Sequence, residues 1–227
     1  MALILVCKAN SYTFANIFKT QNVNNMKKLL LSLSLVAITV ISANAQVTFG
    51  IKAGLNLSTW TGKDATSTNF PGKTMKAGLN IGGQVAIPVS SSFSVQPEVV
   101  YSMQGVKVDG GTYELDYLNI PVLAMYRFHG SNFSAGTGPQ IGFMTTGKAK
   151  PTGGTSTDIK DQLQTTDFAW AFNFAYMTNM GLGFNARYNL GLSTIDKGTG
   201  GSTKDKVNNS VIQLGAFWNF GPKGGKK

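Results

Sequence analysis

The sequence predicts an all-β fold: an eight-stranded antiparallel up-and-down β-barrel that spans a membrane, preceded by a cleavable signal peptide. Three observations predict it. Alternation with a period of two recurs about eight times between Val47 and Phe220, with no helical pattern between the stretches. One face of the stretches carries the large apolar residues and the other carries Gly, Ser, Asn, Gln and a few charges, the reverse of a soluble ligand-binding barrel. The connections alternate between short turns and longer polar loops, as in barrels that cross an outer membrane.

The leader comes first. Met26-Lys27-Lys28 precedes an apolar run from Leu29 to Ile41 and an Ala43-Asn44-Ala45 ending. A basic start, a short apolar run and a small-residue end, in that order, read as a secretory signal peptide over 26–45, cleaved after Ala45. The run is short for a spanning helix and has no basic stop-transfer flank. Residues 1–25 read as an upstream start-site artefact or an extended leader. Residues 46–220 are the expected barrel and 221–227 a basic tail.

Composition narrows the function. Cys7 is the only cysteine and lies in the part upstream of the expected cleavage, so the exported chain is expected to have no internal disulfide. The formal charge is +10 for the whole chain; removing Lys8, Lys19, Lys27 and Lys28 leaves +6, scattered over loops and tail. An exported chain with so modest a charge is not expected to bind nucleic acid. No stretch after the leader is long and apolar enough for a membrane helix, but a closed barrel satisfies its own backbone and spans without one.

The strands follow in order. Val47–Ser58 alternates without a break, with Trp60 just beyond. Lys76–Val89 has Leu79, Ile81, Val85 and Ile87 on its apolar face. A turn at Ser90–Ser92 leads to Phe93–Val106, with Ser94, Gln96, Glu98 and Ser102 inward. After a turn at Lys107–Gly111, Thr112–Phe128 is expected to change parity near Tyr117. Pro97 and Pro121 favour bulges or local breaks, since proline cannot donate to a ladder. Phe133–Thr145 is Gly-rich inside. Asp167–Tyr176 sets Phe168, Trp170, Phe172, Phe174 and Tyr176 against Ala169, Ala171, Asn173 and Ala175. Gly181–Ser193 and Ser210–Phe220 complete the set.

Side chains nearly fill an eight-stranded interior. The inward charges form an expected lumen cluster of Lys52, Glu98, Arg127 and Arg187. A lone buried charge is costly, so Glu98 should pair with one of these cations, register deciding which. Trp60, Tyr101, Tyr126, Phe128, Tyr176, Tyr188, Trp218 and Phe220 stand near strand ends, as does Phe133, and are expected to form aromatic girdles at the two membrane surfaces. No catalytic, metal or cofactor site is expected. His129, the only histidine, sits in a short turn and marks neither a zinc cluster nor a triad. The acidic residues of 158–167 and 196–205 match no ordered calcium loop.

Three stretches carry a family likeness: Phe49–Ser58 (FGIKAGLNLS), Phe93–Lys107 (FSVQPEVVYSMQGVK) and Tyr117–Phe128 (YLNIPVLAMYRF), the last followed by the Gly-rich AGTGPQIGF. On these the chain resembles the small outer-membrane barrels of Bacteroidetes, the PorT-like or outer membrane protein beta-barrel family, over about Gln46 to Phe220. The resemblance implies an eight-stranded barrel in a Gram-negative outer membrane and little chemistry. Phe220 is not terminal here, although barrel-assembly recognition commonly uses a terminal aromatic.

The expectation is therefore a non-enzymatic outer-membrane barrel with a structural or surface-interaction role through its longer loops. Its partners would be outer-membrane lipid, the barrel-assembly machinery and surface or periplasmic proteins of unspecified identity, and it would be monomeric. The alternative is a narrow porin-like channel for ions or small polar solutes. A lipid-acting enzyme and a soluble periplasmic ligand barrel rank below these.

Overall fold

The computed structural model describes residues 47–66, 68–198 and 206–220. The expected leader and the tail 221–227 lie outside these residues. The strands are β1 (Thr48–Thr61), β2 (Thr74–Pro88), β3 (Phe93–Val108), β4 (Gly111–Arg127), β5 (Phe133–Pro151), the two-residue β6 (Thr157–Asp158), β7 (Thr166–Met177), β8 (Leu182–Gly191) and β9 (Asn208–Phe220). All pairings are antiparallel. The order β4-β3-β2-β1-β9-β8-β7-β5 closes through β4–β5, and β6 pairs only with β5. Eight strands thus form the barrel, each beside its neighbour in sequence.

Register fixes the slope of the wall. From Ser134, successive partners are Ala175, Asn185, Gly215, Gly54, Asn80, Ser102, Tyr117 and Met144. The path returns to β5 ten residues beyond its start, so the barrel has a shear of ten. With eight strands this corresponds to a tilt of about 40°.

Burial inverts the soluble rule. Ile81 is 64% and Phe49 59% exposed, whereas Glu98 is 2% and Lys52 5% exposed. Phe168, Phe172, Phe174, Phe184, Leu214 and Trp218 also stand on the outer wall. Soluble monomers rarely expose contiguous apolar patches above a few hundred Å²; here the patch encircles the molecule. On β5 it runs from Phe133 to Phe143, and residues rising roughly 3.4 Å each at that tilt span about 26 Å. An outer-membrane barrel's apolar band is about 25 Å tall. Beyond the band the outer face turns charged, with Glu114 and Lys150 paired at 2.8 Å.

Two local expectations are corrected. The turn at Lys107–Gly111 shrinks to Asp109–Gly110, because pairing continues to Val108↔Gly111. Gly110 takes φ 81°, which a tight turn permits to glycine. Consequently β3, β4 and β5 rise past the rim, and β7 begins only opposite Phe143. The parity change near Tyr117 is absent from β4, where Leu115, Tyr117, Asn119, Pro121, Leu123 and Met125 are all buried. The extra residue lies across the ladder in β5: pairing steps from Asp116↔Thr146 to Tyr117↔Met144 and leaves Thr145 bulged. Pro97 and Pro121 interrupt pairing without shifting register, since Pro97↔Val122 and Val100↔Asn119 belong to one alignment.

The short-turn end carries a ring of aromatics. Phe93 meets Tyr126 with centroids 4.9 Å apart, Tyr126 meets Phe128 edge-on at 5.5 Å, and Phe133 meets Tyr176 at 4.9 Å. Trp218 and Phe220 lie exposed at the same end of β9. Toward the loop end, the Tyr101 hydroxyl donates to Asp116 at 3.0 Å, and the Tyr188 hydroxyl lies 2.9 Å from Ser210 Oγ. Trp60 does not join either ring. It is 4% exposed and packs inside the barrel against Phe70 and Tyr113. The alternation of β1 puts position 60 on the same inward side as Asn56 and Ser58, so its ring fills the lumen.

Candidate functional site

The candidate site is the filled lumen, which the inward positions of every barrel strand build in layers. In the layer nearer the short turns, Lys52 enters from β1, Gln96 and Glu98 from β3, Asn173 from β7 and Arg187 from β8. Lys52 Nζ lies 2.9 Å from Glu98 Oε2. Arg187 meets the same carboxylate as a fork, Nη1 donating to Oε2 at 2.8 Å and Nη2 to Oε1 at 2.7 Å. Planar guanidinium and carboxylate groups match in this way, and charged hydrogen bonds of this length are about twice as strong as neutral ones.

Amides complete the layer. Gln96 Nε2 donates to Glu98 Oε1 at 2.8 Å, and Arg187 Nε donates to Asn173 Oδ1 at 3.1 Å. Asn185 Nδ2 reaches the same Asn173 oxygen at 3.2 Å, and Gln84 Nε2 donates to Asn219 Oδ1 at 2.9 Å. The ion-paired side chains are at most 4% exposed. This layer therefore sets buried charge across the lumen and carries one net positive charge.

Of the four charges expected inside, the structure brings three together. Arg127 is exposed at the short-turn end of β4 and takes no part. Its position is the last of the strand, where an inward parity no longer means burial.

Above this layer an amide and hydroxyl network occupies the wall of β1, β2, β3 and β9. Asn56 Nδ2 donates to Leu79 O at 3.0 Å and to Ser102 Oγ and Met103 O at 2.9 Å. Its Oδ1 accepts from Asn80 at 2.7 Å and from Gln213 at 2.9 Å. Higher still, Ser193 Oγ donates to Asp167 Oδ1 at 2.7 Å. Asn209 Nδ2 reaches Asp167 Oδ2 at 3.0 Å and the Tyr117 hydroxyl at 3.1 Å.

The loop end is closed by an apolar cluster. Trp60, Ala65, Val106, Leu115, Tyr117, Met144, Ile195 and Val207 are buried together, with Phe70, Val108, Tyr113 and Leu163 packed against them. Ala65, Phe70, Leu163, Ile195 and Val207 come from the three long connections and turn inward over the barrel. Lys73 Nζ ties one of them down by donating to the carbonyls of Trp60, at 3.0 Å, and Ala65. Sequence reasoning missed this lid because its residues sit in segments that read as polar. It also missed Asn173, although Asn173 pairs directly with Arg187 once register is known.

Among the described residues no group of three His, Cys, Asp or Glu side chains could hold a metal ion. His129 is exposed in its turn.

The family profile described as outer membrane protein beta-barrel domain matches residues 42–197, more than half of the chain. The chain belongs to that family. It is an outer-membrane β-barrel whose outer wall is apolar. No curated protein matches it.

Solved structures show similar barrels at low identity. The Yersinia pestis attachment invasion locus protein Ail, solved with the heparin analogue sucrose octasulfate, is 16% identical. That match covers 77% of this chain and 99% of that one, with a TM-score of 0.46. Neisserial surface protein A is 15% identical, covering 76% and 97%, with a TM-score of 0.49. The N-terminal barrel of Pseudomonas aeruginosa OprF is 13% identical, covering 78% and 100%, with a TM-score of 0.38.

Proposed function

We propose that this outer-membrane barrel acts as a sealed scaffold, with a structural or surface-interaction role carried by its long connections on the outside of the cell. The observation behind this reading is the double closure of the lumen. The Lys52–Glu98–Arg187 layer fills one level, and the apolar lid fills the loop end. A barrel built to pass solute has no use for both. The segments 62–73, 152–165 and 192–207 are then the parts available to partners. The aromatic rings hold the wall at lipid depth, and the lumen charges are structural. The reading includes a monomeric barrel, export through the leader 26–45, with 1–25 outside the mature chain, and insertion by the barrel-assembly machinery.

A narrow channel is the second reading. It is favoured by the polar column that runs from Gln96 through Glu98 and Asn56 to Asp167. Membership among the PorT-like barrels of Bacteroidetes is supported by Phe49–Ser58, Phe93–Lys107 and Tyr117–Phe128, whose Gln-Pro-Glu and Asn-Ile-Pro pieces lie in adjacent strands.

Cysteine substitution in intact cells tests the orientation on which the surface role depends. A membrane-impermeant maleimide should label Lys63→Cys and Lys160→Cys from outside, and Ser91→Cys only after lysis. Labelling of Ser91→Cys alone in intact cells would place the long connections inside and remove the surface role.

A further inference from the structure

The middle of the barrel is unevenly packed. On one side Asn56, Asn80, Ser102 and Gln213 satisfy one another. On the other, β4, β5, β7 and β8 turn small residues and amides inward. Register sets Asn119 beside Gly142, Gln140 beside Ala169, Gly138 beside Ala171, and Ala171 beside Asn189. Of the residues named here from β5 and β7, Gln140 alone is larger than alanine; Asp167 stands next along β7, opposite Gly142, and Leu123 of β4 packs against Ala171.

Asn119 is 3% and Asn189 2% exposed. Asn119 Nδ2 has no protein partner, and neither does Nδ2 or Oδ1 of Asn189. Leaving a buried polar group unpaired costs about 1–3 kcal/mol. Buried groups of this kind are satisfied by protein or by ordered water. The neighbouring glycines and alanines offer no side-chain polar atom.

The ligand must both donate and accept, because Asn189 leaves both of its amide atoms open. A bare anion would leave Oδ1 unsatisfied. A cation would leave the Nδ2 donors unsatisfied and would sit beside a layer with one net positive charge.

We propose that this side of the barrel is a water-binding site: a closed, hydrated compartment held by Asn119, Gln140 and Asn189. It lies between the Lys52–Glu98–Arg187 layer and the apolar lid. The lumen is then wet in its middle and shut at two levels. This goes beyond the scaffold reading and does not depend on what the long connections bind.

The test is water-to-amide cross-relaxation on the refolded, ¹⁵N-labelled full chain in micelles, with the side-chain amides assigned. Asn119 and Asn189 should show cross-peaks of the sign given by long-lived water. Asn56, whose amide hydrogens are taken by Leu79 O, Ser102 Oγ and Met103 O, should show none. In Asn189→Leu the Asn119 cross-peak should weaken and the unfolding midpoint should fall; Asn189→Ala serves if the leucine form does not refold. Absence of water cross-peaks at both residues in the unmodified chain would overturn the proposal. So would a raised midpoint in Asn189→Leu, because a leucine that fills a dry void stabilises.

Discussion

Arg187 and Glu98 meet across the lumen as a two-point fork, with bonds of 2.8 and 2.7 Å, from strands that are not neighbours in the sheet. Their side chains are 1% and 0% exposed, so the contact is made out of reach of bulk water. Lys52 approaches the same carboxylate from β1, and one acid thereby joins three parts of the wall.

Glu98→Gln removes the charge that Lys52 and Arg187 share and leaves two buried cations. Removing one member of a buried pair costs about 3–5 kcal/mol. Urea unfolding followed by heat-modifiable gel mobility should show a loss of this order. Replacing all three with Lys52→Met, Glu98→Leu and Arg187→Met should recover most of it, because volume-matched apolar replacement of buried ion pairs is often neutral. Equal losses in the single and triple forms would mean that shape, not charge, holds this layer.

Asn56 Oδ1 is the shared acceptor for Asn80 and Gln213. Asn56→Leu strands both donors, each at about 1–3 kcal/mol. The expected loss in unfolding free energy is about 2–6 kcal/mol, read from the same urea titration. A change within experimental scatter would show that these amides re-pair elsewhere.

Trp60 and Trp218 should report different surroundings. Trp60 is 4% exposed inside the barrel, whereas Trp218 is 40% exposed on the outer wall. In single-tryptophan forms reconstituted into brominated lipid, Trp218 fluorescence should be strongly quenched and Trp60 fluorescence nearly untouched. Strong quenching of Trp60 would return it to the lipid surface.

The wall was legible from the sequence because lipid outside and polar atoms inside impose a period of two on every strand. Phe168 to Tyr176 shows this: each aromatic faces out and each of Ala169, Ala171, Asn173 and Ala175 faces in, as the alternation states. Pairing across the lumen was less legible. Glu98 is 89 residues from Arg187 in the chain, and only the register of the intervening strands brings them together. The error at Tyr117 has the same origin, since a bulge can sit on either strand of a pair and alternation in one strand does not say which. The lid was the least legible part. Phe70, Leu163 and Ile195 are single apolar residues in polar segments, and what buries them is the hollow end of the barrel rather than a local pattern.

Two closures in series also predict how the lumen opens. Glu98→Gln disturbs only the lower layer and leaves Trp60, Phe70 and Tyr113 packed above it. Conduction should therefore require a second change that removes the lid, such as deletion of residues 64–71 together with Trp60→Ala. Loss of either closure alone should leave the barrel silent.

The most direct measurement is single-channel conductance across a planar lipid bilayer holding the refolded protein, with Glu98→Gln beside it and correct folding shown by heat-modifiable mobility. A sealed lumen predicts a silent bilayer for both. Reproducible steps from the unmodified protein, changed in size or frequency by Glu98→Gln, would contradict it and make the lumen a path.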